Sequence, residues 1–409
     1  MRSSQPFRHP VRTVALLASL LGASGVAAAD TITFGAAISI TGKTAKEGEY
    51  TRDGYQFAID KINQLGGIKV GGKSYSIALK YYDDESKSER TAQLVEKLIN
   101  EDKVSFILGP YGSGPTATAA PICEKYKVPM IEANGAAETI FSKGYRYTFG
   151  VLSPAKLYLR GIVDLVLAKD PTVKTVAVLG ENEPFSKEVA AGIAEYAKDK
   201  GLEVVYRELY PSNTQDVSAL LTSIKGKGAH IILGAGHLQD SLLIVKQSKD
   251  LGLAPRAMGF SVGPSSPEFR QSLKQNADYV LGATQWTPAL KYNGNDPWRT
   301  PAAFAQAFMV AHPDYPVVPY QVAESAAAII AFQRAIEKAG TLDPVKVRDA
   351  IAALDIMTFY GQIKFDGRGV NVYKPMAVEQ LQPDGKKYTV FPPSVAEKDA
   401  MYPMPGAAR

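Results

Sequence analysis

Strand-like and helix-like patterns alternate from residue 32 to about residue 150. The apolar run 32–38 predicts a strand, and 50–65 has helical spacing, with Tyr55, Ile59 and Ile62 on one face. Further strands are predicted at 75–82, 104–108 and 128–132, and further helices at 88–99 and 115–126. Such an alternation predicts a parallel sheet with helices on both faces.

The alternation repeats in the next part of the chain and changes after about residue 300. Helices are predicted at 155–167, 187–200, 217–224 and 239–251, and strands at 175–179, 203–209 and 230–233. This pattern indicates a second doubly wound half. The last part has predicted helices at 301–312, 322–339 and 344–354, then antiparallel strands at 360–365, 374–380 and 388–391 around two Asp-Gly turns.

The first 29 residues have the composition of an export signal. Three arginines precede an apolar run at 13–21 that is too short to cross a bilayer, and three alanines at 27–29 supply a small-residue cleavage site. We therefore expect cleavage after Ala29 and a periplasmic protein that begins at Asp30. An uncleaved anchor is the alternative, which the lack of a following stop-transfer pattern disfavours.

Composition and motifs argue against several classes of function. The chain beyond the leader is close to neutral and has no basic stripe, which argues against nucleic-acid binding. The single cysteine, Cys123, fits an oxidising compartment as a small buried hydrophobe. Since His230, His237 and His312 lack metal-binding spacing and no nucleophile elbow or dinucleotide fingerprint is present, we expect no enzyme, cofactor or metal site.

Five stretches, in order along the chain, resemble a known family. They are "GAAISITGKTAKEGEYTRDGYQFAIDKINQLGGI", "YYDDESKSERTAQLVEKLI", "ILGPYGSGPTATAAPICEKYKVPMI", "DYVLGAT" and "TFYGQIKFDGRGVNVYKPMAVEQLQPDG". The chain resembles the type I periplasmic solute-binding proteins of the leucine/isoleucine/valine class. The resemblance implies an α/β fold of two doubly wound parallel-sheet lobes that are joined by three crossovers and close on a ligand like a hinged clamp.

The resemblance also implies a domain organisation and a set of partners. Crossovers are expected near 149–152, 281–285 and 361–365, so that the first lobe holds 30–150 and 284–361 and the second holds 151–283 and 362–409. The implied function is the periplasmic substrate-binding component of an ABC transporter. Its partners would be a permease and ATPase complex in the inner membrane, and we expect a monomer. A periplasmic sensor partner of a membrane receptor would have the same fold and remains an alternative.

Two turns of the first lobe are candidates for holding a ligand carboxylate. Ligands of open α/β sheets bind beyond the carboxyl ends of the strands, and glycines at 109–114 open the backbone to an anion. The resemblance assigns Ser113 to the carboxylate, although a helix cap is the other interpretation. Around 132–137 the family adds backbone groups and a hydroxyl, and here Gly135 and Ala136 leave only the backbone N–H groups. Gly112 would add an N–H, while Asn134 is either a ligand donor or a turn residue.

Three further residues are expected to approach the ligand. Phe185 stands where the family places an aromatic lid, and a core phenylalanine is the alternative. His237 follows a strand and either faces the cleft or caps the next helix. Glu47 occupies a position at which the family often has an aromatic contact, so its charge either selects a polar ligand group or lies in solvent.

The type of ligand depends on one departure from the family. Branched-chain amino-acid binders supply a carboxylate for the ligand ammonium from a turn in which this chain has Ser261, and serine cannot neutralise an ammonium. We therefore expect a hydrophobic or aromatic carboxylate without an α-amine, packed by aromatic residues. The alternative is an amino acid whose ammonium is received by an acid. The aromatic candidates are Tyr111, Phe185 and Phe260, and the candidate acids are Glu47, Glu183 and Asp240.

Overall fold

The computed structural model describes residues 1, 2, 5 and 30–407, and nearly all of the predicted export signal lies outside these residues. The first part of the chain forms one sheet and its flanking helices. Its elements are β1 (Thr31–Ile38), α1 (Ala45–Gln64), β2 (Ile68–Val70), β3 (Lys73–Asp83), α2 (Ser88–Asn100), β4 (Phe106–Leu108), α3 (Ser113–Tyr126), β5 (Met130–Glu132) and β6 (Thr148–Gly150). The strand order is β2-β3-β1-β4-β5-β6, and only the β2–β3 pair is antiparallel.

The middle of the chain builds a second sheet. Its elements are α4 (Arg160–Lys169), β7 (Thr175–Glu181), α5 (Pro184–Asp199), β8 (Glu203–Tyr210), α6 (Ser218–Lys227), β9 (Ile231–Ala235), α7 (Leu238–Asp250), β10 (Ala257–Phe260), α8 (Pro267–Leu273) and β11 (Leu281–Thr284). These five strands are parallel to one another. The two sheets therefore have the doubly wound α/β architecture that the sequence predicts.

The last part of the chain contributes to both sheets. It contains α9 (Pro301–Ala311), α10 (Tyr320–Ala339), α11 (Pro344–Ala352), β12 (Asp355–Thr358), β13 (Gly361–Lys364), β14 (Ala377–Leu381) and β15 (Lys387–Phe391). β12 and β13 form a small antiparallel sheet, whereas β14 and β15 extend the second sheet as antiparallel strands in the order β15-β14-β11-β10-β9-β7-β8. No helix in residues 30–407 is both long enough and apolar enough to cross a bilayer.

The predicted helix at 155–167 is interrupted in the structure. A short 3₁₀ turn at Ala155–Leu157 is followed by α4, which begins at Arg160. No strand is predicted at β2, β6, β10, β11 or β12, because strands of three or four residues are too short to show a periodicity. Cys123 is buried, and burial raises the pKa of its thiol.

Helix α10 lies in the centre of the first lobe. Its residues from Val322 to Phe332 are almost all buried, and the ring of Phe332 lies 5.0 Å from Phe34 of β1 and 5.5 Å from Phe106 of β4. The same core contains Trp286 and residues of α9 and α11. The segment after β11 therefore returns to complete the first lobe.

Three chain crossings join the two lobes. The first two follow β6 and β11, close to their expected positions. The third lies later than expected: Ile363 and Phe365 pack in the first-lobe core, Val370 pairs with Gly150, and the chain joins the second sheet only at Ala377. The crossing comes after β13 because this strand pairs with β12 and its apolar side chains are buried in the first core.

Candidate functional site

The carboxyl ends of the two sheets face each other across a cleft. In the first lobe, the turns after β4 and β5 carry the residues 109–113 and 133–137. In the second lobe, the turns after β7, β9 and β10 carry Glu183, His237 and Ser261. The lobes contact each other directly, since hydrogen bonds join the first set of turns and α1 to the second set. Side chains at the turns are therefore buried between the lobes.

Ser113 begins α3 and is buried, 1% exposed. Its Oγ accepts the N–H of Ala137 at 3.0 Å, so its own hydroxyl hydrogen is left to donate. It caps no N–H of its own helix. The first N–H groups of a helix have no acceptor within the helix, and they favour an anion. Pro115 has no N–H, and the Thr116 N–H donates to Gly112 O at 3.2 Å. The Ser113 hydroxyl and the N–H groups of Ser113 and Gly114 together form what we call the α3 cradle.

The backbone donors around the α3 cradle are only partly free. The N–H of Gly112 donates to Asn134 O at 3.1 Å, and the N–H groups of Asn134 and Gly135 both donate to the Glu132 carboxylate. The structure thus uses the Gly112 and Gly135 N–H groups that the sequence assigned to a ligand. The Ala136 N–H has no acceptor within the described part of the chain. Gly112 has φ +90°, a backbone conformation suited to glycine, which lets α3 start directly after the turn.

Asn134 faces the first-lobe interior more than the cleft. It is 7% exposed, and its Nδ2 donates to Ser325 Oγ of α10 at 3.1 Å. Its Oδ1 is buried without a partner among the described residues. The side chain therefore anchors the turn to α10.

A run of aromatic side chains crosses the cleft. The Tyr111 ring lies 5.5 Å from the His237 ring, which lies 5.5 Å from Phe185, and Phe185 packs edge to face on Tyr158 at 5.0 Å. The Tyr158 hydroxyl lies beside Gln285 and Tyr320. Phe185 belongs to a core cluster of the second lobe and also contacts the cleft, so both of its expected roles are compatible with its position. These rings, with Tyr320, form what we call the aromatic wall.

His237 connects the lobes and has three acids near it. Its Nδ1 lies 2.9 Å from the Tyr111 hydroxyl, and its Nε2 lies 3.7 Å from Glu183 Oε1. Burial alone would lower the pKa of His237, but its interactions with Glu183, Glu181 and Glu47 raise it to about 9. The imidazole is thus protonated at neutral pH, and both ring nitrogens donate. His237 is the residue directly before α7, and its backbone N–H donates to the Asp240 carboxylate of that helix.

Glu47 in α1 is fully enclosed between the lobes. It is 1% exposed, and its Oε1 accepts the N–H of Leu238 across the cleft at 3.2 Å. Burial raises the pKa of Glu47, while the charge of His237 opposes this shift. Of the two alternatives from the sequence, a solvated side chain is wrong, because Glu47 lies inside the closed cleft.

Ser261 does not present its hydroxyl to the cleft. Its Oγ accepts the N–H of Gly236 at 3.0 Å and donates to Gly236 O at 2.9 Å, so it holds the turn that carries His237. Phe260, which we expected beside the ligand, packs instead in the second-lobe core with Phe269. The side chains of a strand alternate between faces, and β10 directs Phe260 away from the cleft.

The other two candidate acids are occupied by protein groups. Glu183 caps α5 by accepting the N–H groups of Phe185 and Ser186. Burial alone would raise the pKa of Glu183, but the interaction with His237 and these donors lowers it to about 2. Asp240 accepts the His237 N–H at 3.0 Å. Lys43 of the first lobe lies 3.3 Å from Asp240 and 2.8 Å from Glu181, and these ion pairs close the rim of the cleft.

A buried polar network ties the three crossings together. Gln285 donates to Ser153 O and accepts the Ser153 N–H, both at 3.1 Å, and Ser153 Oγ donates to Lys374 O at 2.6 Å. The Lys374 ammonium donates to Gln285 O and lies 4.2 Å from the centre of the Tyr360 ring. Burial lowers the pKa of Lys374 to about 7, although Glu324 opposes this.

Sequence reasoning missed several residues at the cleft. Tyr158 lies just before α4, and Tyr320 is the first residue of α10. The apolar spacing of both helices is ordinary, so nothing in the sequence distinguishes these tyrosines from core tyrosines. The fold also brings Glu324 near Lys374 beside the crossings, so that their charges interact. The two residues are 50 positions apart in the sequence, so no local pattern indicates this. A carboxylate within the apolar stretch of α10 was the one available signal.

The comparisons with known proteins agree with this geometry. The sequence profile of the family described as periplasmic binding protein matches residues 31–386. A relative called Leu/Ile/Val-binding protein homolog 8, from Brucella abortus (strain 2308), is 29% identical over 92% of this chain and 96% of its own length.

Two solved structures have the same fold. The branched-chain amino acid transporter substrate-binding protein of Streptococcus pneumoniae, in complex with isoleucine, has a TM-score of 0.74 and 23% identity over 91% of this chain and 100% of its own. A solute-binding protein of an ABC transporter from R. palustris, in complex with benzoate, has a TM-score of 0.74 and 18% identity over 92% of this chain and 98% of its own. Chains similar to this one are thus solved with an amino acid and with an aromatic carboxylate.

Proposed function

The chain belongs to the periplasmic binding protein family, in the branched-chain amino acid ABC transporter class, and from this premise we propose that it captures a small aromatic or hydrophobic carboxylate that lacks an α-amine. The two lobes enclose the ligand by hinge closure, and the closed protein delivers it to an inner-membrane permease and ATPase complex. The protein binds its ligand and returns it unchanged.

The carboxylate of the ligand is assigned to the α3 cradle. The Ser113 hydroxyl is buried and free to donate, and the N–H groups of Ser113 and Gly114 at the start of α3 favour an anion. The Ala136 N–H is a further donor. A hydrogen bond to a charged group contributes about 1.5–3 kcal/mol, so a few such donors account for a firm hold on one carboxylate.

The observation that carries the choice of ligand is the position of the Ser261 hydroxyl. It is fully used by the Gly236 backbone, and Glu183 and Asp240 are used by helix ends, His237 and Lys43. An α-ammonium at the α3 cradle would therefore lack a dedicated acid in these turns, and a buried unpaired charge is costly. The aromatic wall suits an apolar or aromatic ligand body.

Isothermal titration calorimetry decides between ligand classes. The protein, freed of co-purified ligand by denaturation and refolding, is titrated with benzoate, phenylpyruvate, phenylalanine and leucine. Phenylpyruvate and phenylalanine share a side chain and differ in the keto or ammonium group, so their ratio isolates the amine. Tight binding of leucine or phenylalanine without binding of benzoate or phenylpyruvate would reverse the proposal.

Small-angle scattering tests the hinge closure. The ligand should bridge the α3 cradle and the second-lobe part of the aromatic wall, and binding then favours the closed state. The radius of gyration of the ligand-free protein should decrease when the ligand is added to saturation. An unchanged profile would argue against closure.

A further inference from the structure

The end of the cleft remote from the α3 cradle is polar. The Tyr111 side chain starts two residues before Ser113, and its hydroxyl lies at the far tip of the ring, against His237. Glu47 lies beside this tip, since its charge acts on both Tyr111 and His237. The length of the Tyr111 ring therefore separates the α3 cradle from a second group of polar side chains.

Glu47 has fewer hydrogen bonds than its burial requires. An ionised carboxylate has about four acceptor positions, and the side chain is 1% exposed. Within residues 30–407 its side chain accepts one hydrogen bond from another residue, from the Leu238 N–H to Oε1 at 3.2 Å. Buried carboxylates are normally hydrogen-bonded or paired, so a donor from outside the chain fits this position.

The charges around Glu47 favour a donor over an acceptor or an anion. The groups that close this end of the cleft are the acids Glu47, Glu181, Glu183 and Asp240 and the cations Lys43 and His237. The acids outnumber the cations. A ligand group that donates a hydrogen bond to Glu47 stabilises its carboxylate without adding negative charge, whereas a second carboxylate would increase the excess of negative charge.

We propose that Glu47 is a specificity-determining residue that accepts a hydrogen bond from a hydroxyl or amino group at the end of the ligand opposite its carboxylate. This inference rests on the proposed function, because it takes the ligand carboxylate to lie in the α3 cradle. The preferred ligands are aromatic carboxylates with such a donor at the far end of the ring, and Tyr111, held by His237, adds a hydroxyl beside the same group.

A matched ligand series tests the inference. Benzoate, 4-methylbenzoate, 4-hydroxybenzoate and 4-aminobenzoate share the carboxylate and the ring, and the methyl group is similar in size to the two donors. We expect the wild-type protein to bind the hydroxy or the amino compound roughly ten- to hundredfold more tightly than the methyl compound, the scale of a hydrogen bond to a charged group. Comparison of the hydroxy and amino compounds identifies which donor is recognised.

Variants assign the preference to Glu47. In Glu47→Gln the ratio between the affinities for the donor compounds and for the methyl compound should fall to within a few-fold. Glu49→Gln removes one charge from the same helix, where Glu49 pairs with Lys46 and Arg52, and should keep the preference. Thermal melts check that both variants fold.

Three results overturn the inference. Equal wild-type affinities for the methyl compound and both donors would do so without any variant. An unchanged preference in Glu47→Gln would remove Glu47 from the role even though aromatic carboxylates bind. Absence of binding by all four compounds would overturn this inference, while the titrations with phenylpyruvate, phenylalanine and leucine test the proposed function separately.

Discussion

The Tyr111 hydroxyl lies 2.9 Å from His237 Nδ1, and this hydrogen bond spans the two lobes. Tyr111 belongs to the turn after β4 of the first sheet, and His237 precedes α7 of the second. His237 is held in place by Asp240, by Glu183 and by the turn that Ser261 fixes. The bond therefore connects two preorganised turns of different lobes, and the proposed hinge opening would break it.

Tyr111→Phe should weaken ligand binding without disturbing the fold. The change removes a hydrogen bond from a protonated imidazole, and the expected loss is roughly tenfold in affinity for the best ligand, measured by calorimetry. Scattering should show a smaller ligand-induced decrease in the radius of gyration. Tyr126→Phe is the control, since its hydroxyl bonds Glu96 within the first lobe. Equal affinities of the wild type and Tyr111→Phe would show that the bond does not contribute to closure.

Ser113→Ala should lower affinity for every carboxylate ligand. The variant loses the hydroxyl donor of the α3 cradle, which corresponds to about 1.5–3 kcal/mol, and also the acceptor for the Ala137 N–H. Calorimetry should show roughly ten- to hundredfold weaker binding. Ser266→Ala is a matched control, because Ser266 is equally buried and its Oγ has no partner among the described residues. An affinity unchanged by Ser113→Ala would exclude the cradle as the carboxylate site.

The stability of the closed protein should decrease in mildly alkaline solution. The pKa of His237 is raised from 6.5 to about 9, so its contribution is complete below pH 6.5 and is lost as the pH rises through 9. The loss amounts to on the order of 3 kcal/mol. Thermal melts from pH 6 to pH 10 should show this decline in the wild type and a smaller one in His237→Gln.

His230→Gln serves as the control for this titration, because burial and Arg256 lower the pKa of His230 and it lies outside the cleft. A decline of the same size in the wild type and His237→Gln would assign the pH dependence to other groups.

Glu132→Gln should reduce the dependence of the free energy of unfolding on pH between about pH 5 and pH 7. Burial raises the pKa of Glu132 to about 8, although the N–H groups of Gly135 and Asn134 oppose this. Protonated Glu132 contributes fully to stability below about pH 4.5, and this contribution is lost as the pH rises through 8. By pH 7 the loss amounts to on the order of 3 kcal/mol. Glutamine keeps an acceptor for both N–H groups and carries no charge. Urea unfolding at pH 5 and pH 7 should therefore show a smaller decrease for the variant, and parallel decreases would contradict the assignment.

The export signal remains a prediction from the sequence. Cleavage after Ala29 should leave Asp30 as the first residue of the protein isolated from the periplasm. Intact-mass spectrometry of periplasmic material measures this directly. A mass that includes Met1 would point to an uncleaved anchor.

The sequence predicts the fold well because its signals are local. Apolar runs and helical spacing define β1, α1 and most later elements to within a few residues, and their alternation defines two parallel sheets. The third crossing is less predictable. Nothing local distinguishes whether the apolar residues of β13 pack on the first or the second core, since both are built from similar residues.

The site is only partly predictable for a related reason. The sequence places several candidates near the ends of strands or the starts of helices, which is where the cleft lies. In the structure these candidates do lie at the cleft: Ser113, Phe185, His237 and Glu47. The orientation of a turn side chain depends on its partners. Ser261 turns to the Gly236 backbone, and Glu132, which carried no signal, takes the N–H groups that seemed free for a ligand.

The late position of α10 in the chain has a consequence for the order of assembly. Phe34 and Phe106 face Phe332 of α10. In the chain, α10 follows the five parallel strands of the second sheet and precedes only its two antiparallel strands, β14 and β15. Residues 30–150 alone would leave part of this side of their sheet in water, so the lobe that begins the chain is completed only after β7 to β11 of the second sheet have been made. A chain that stops before Tyr320 would therefore expose an apolar sheet face and should associate with its own copies.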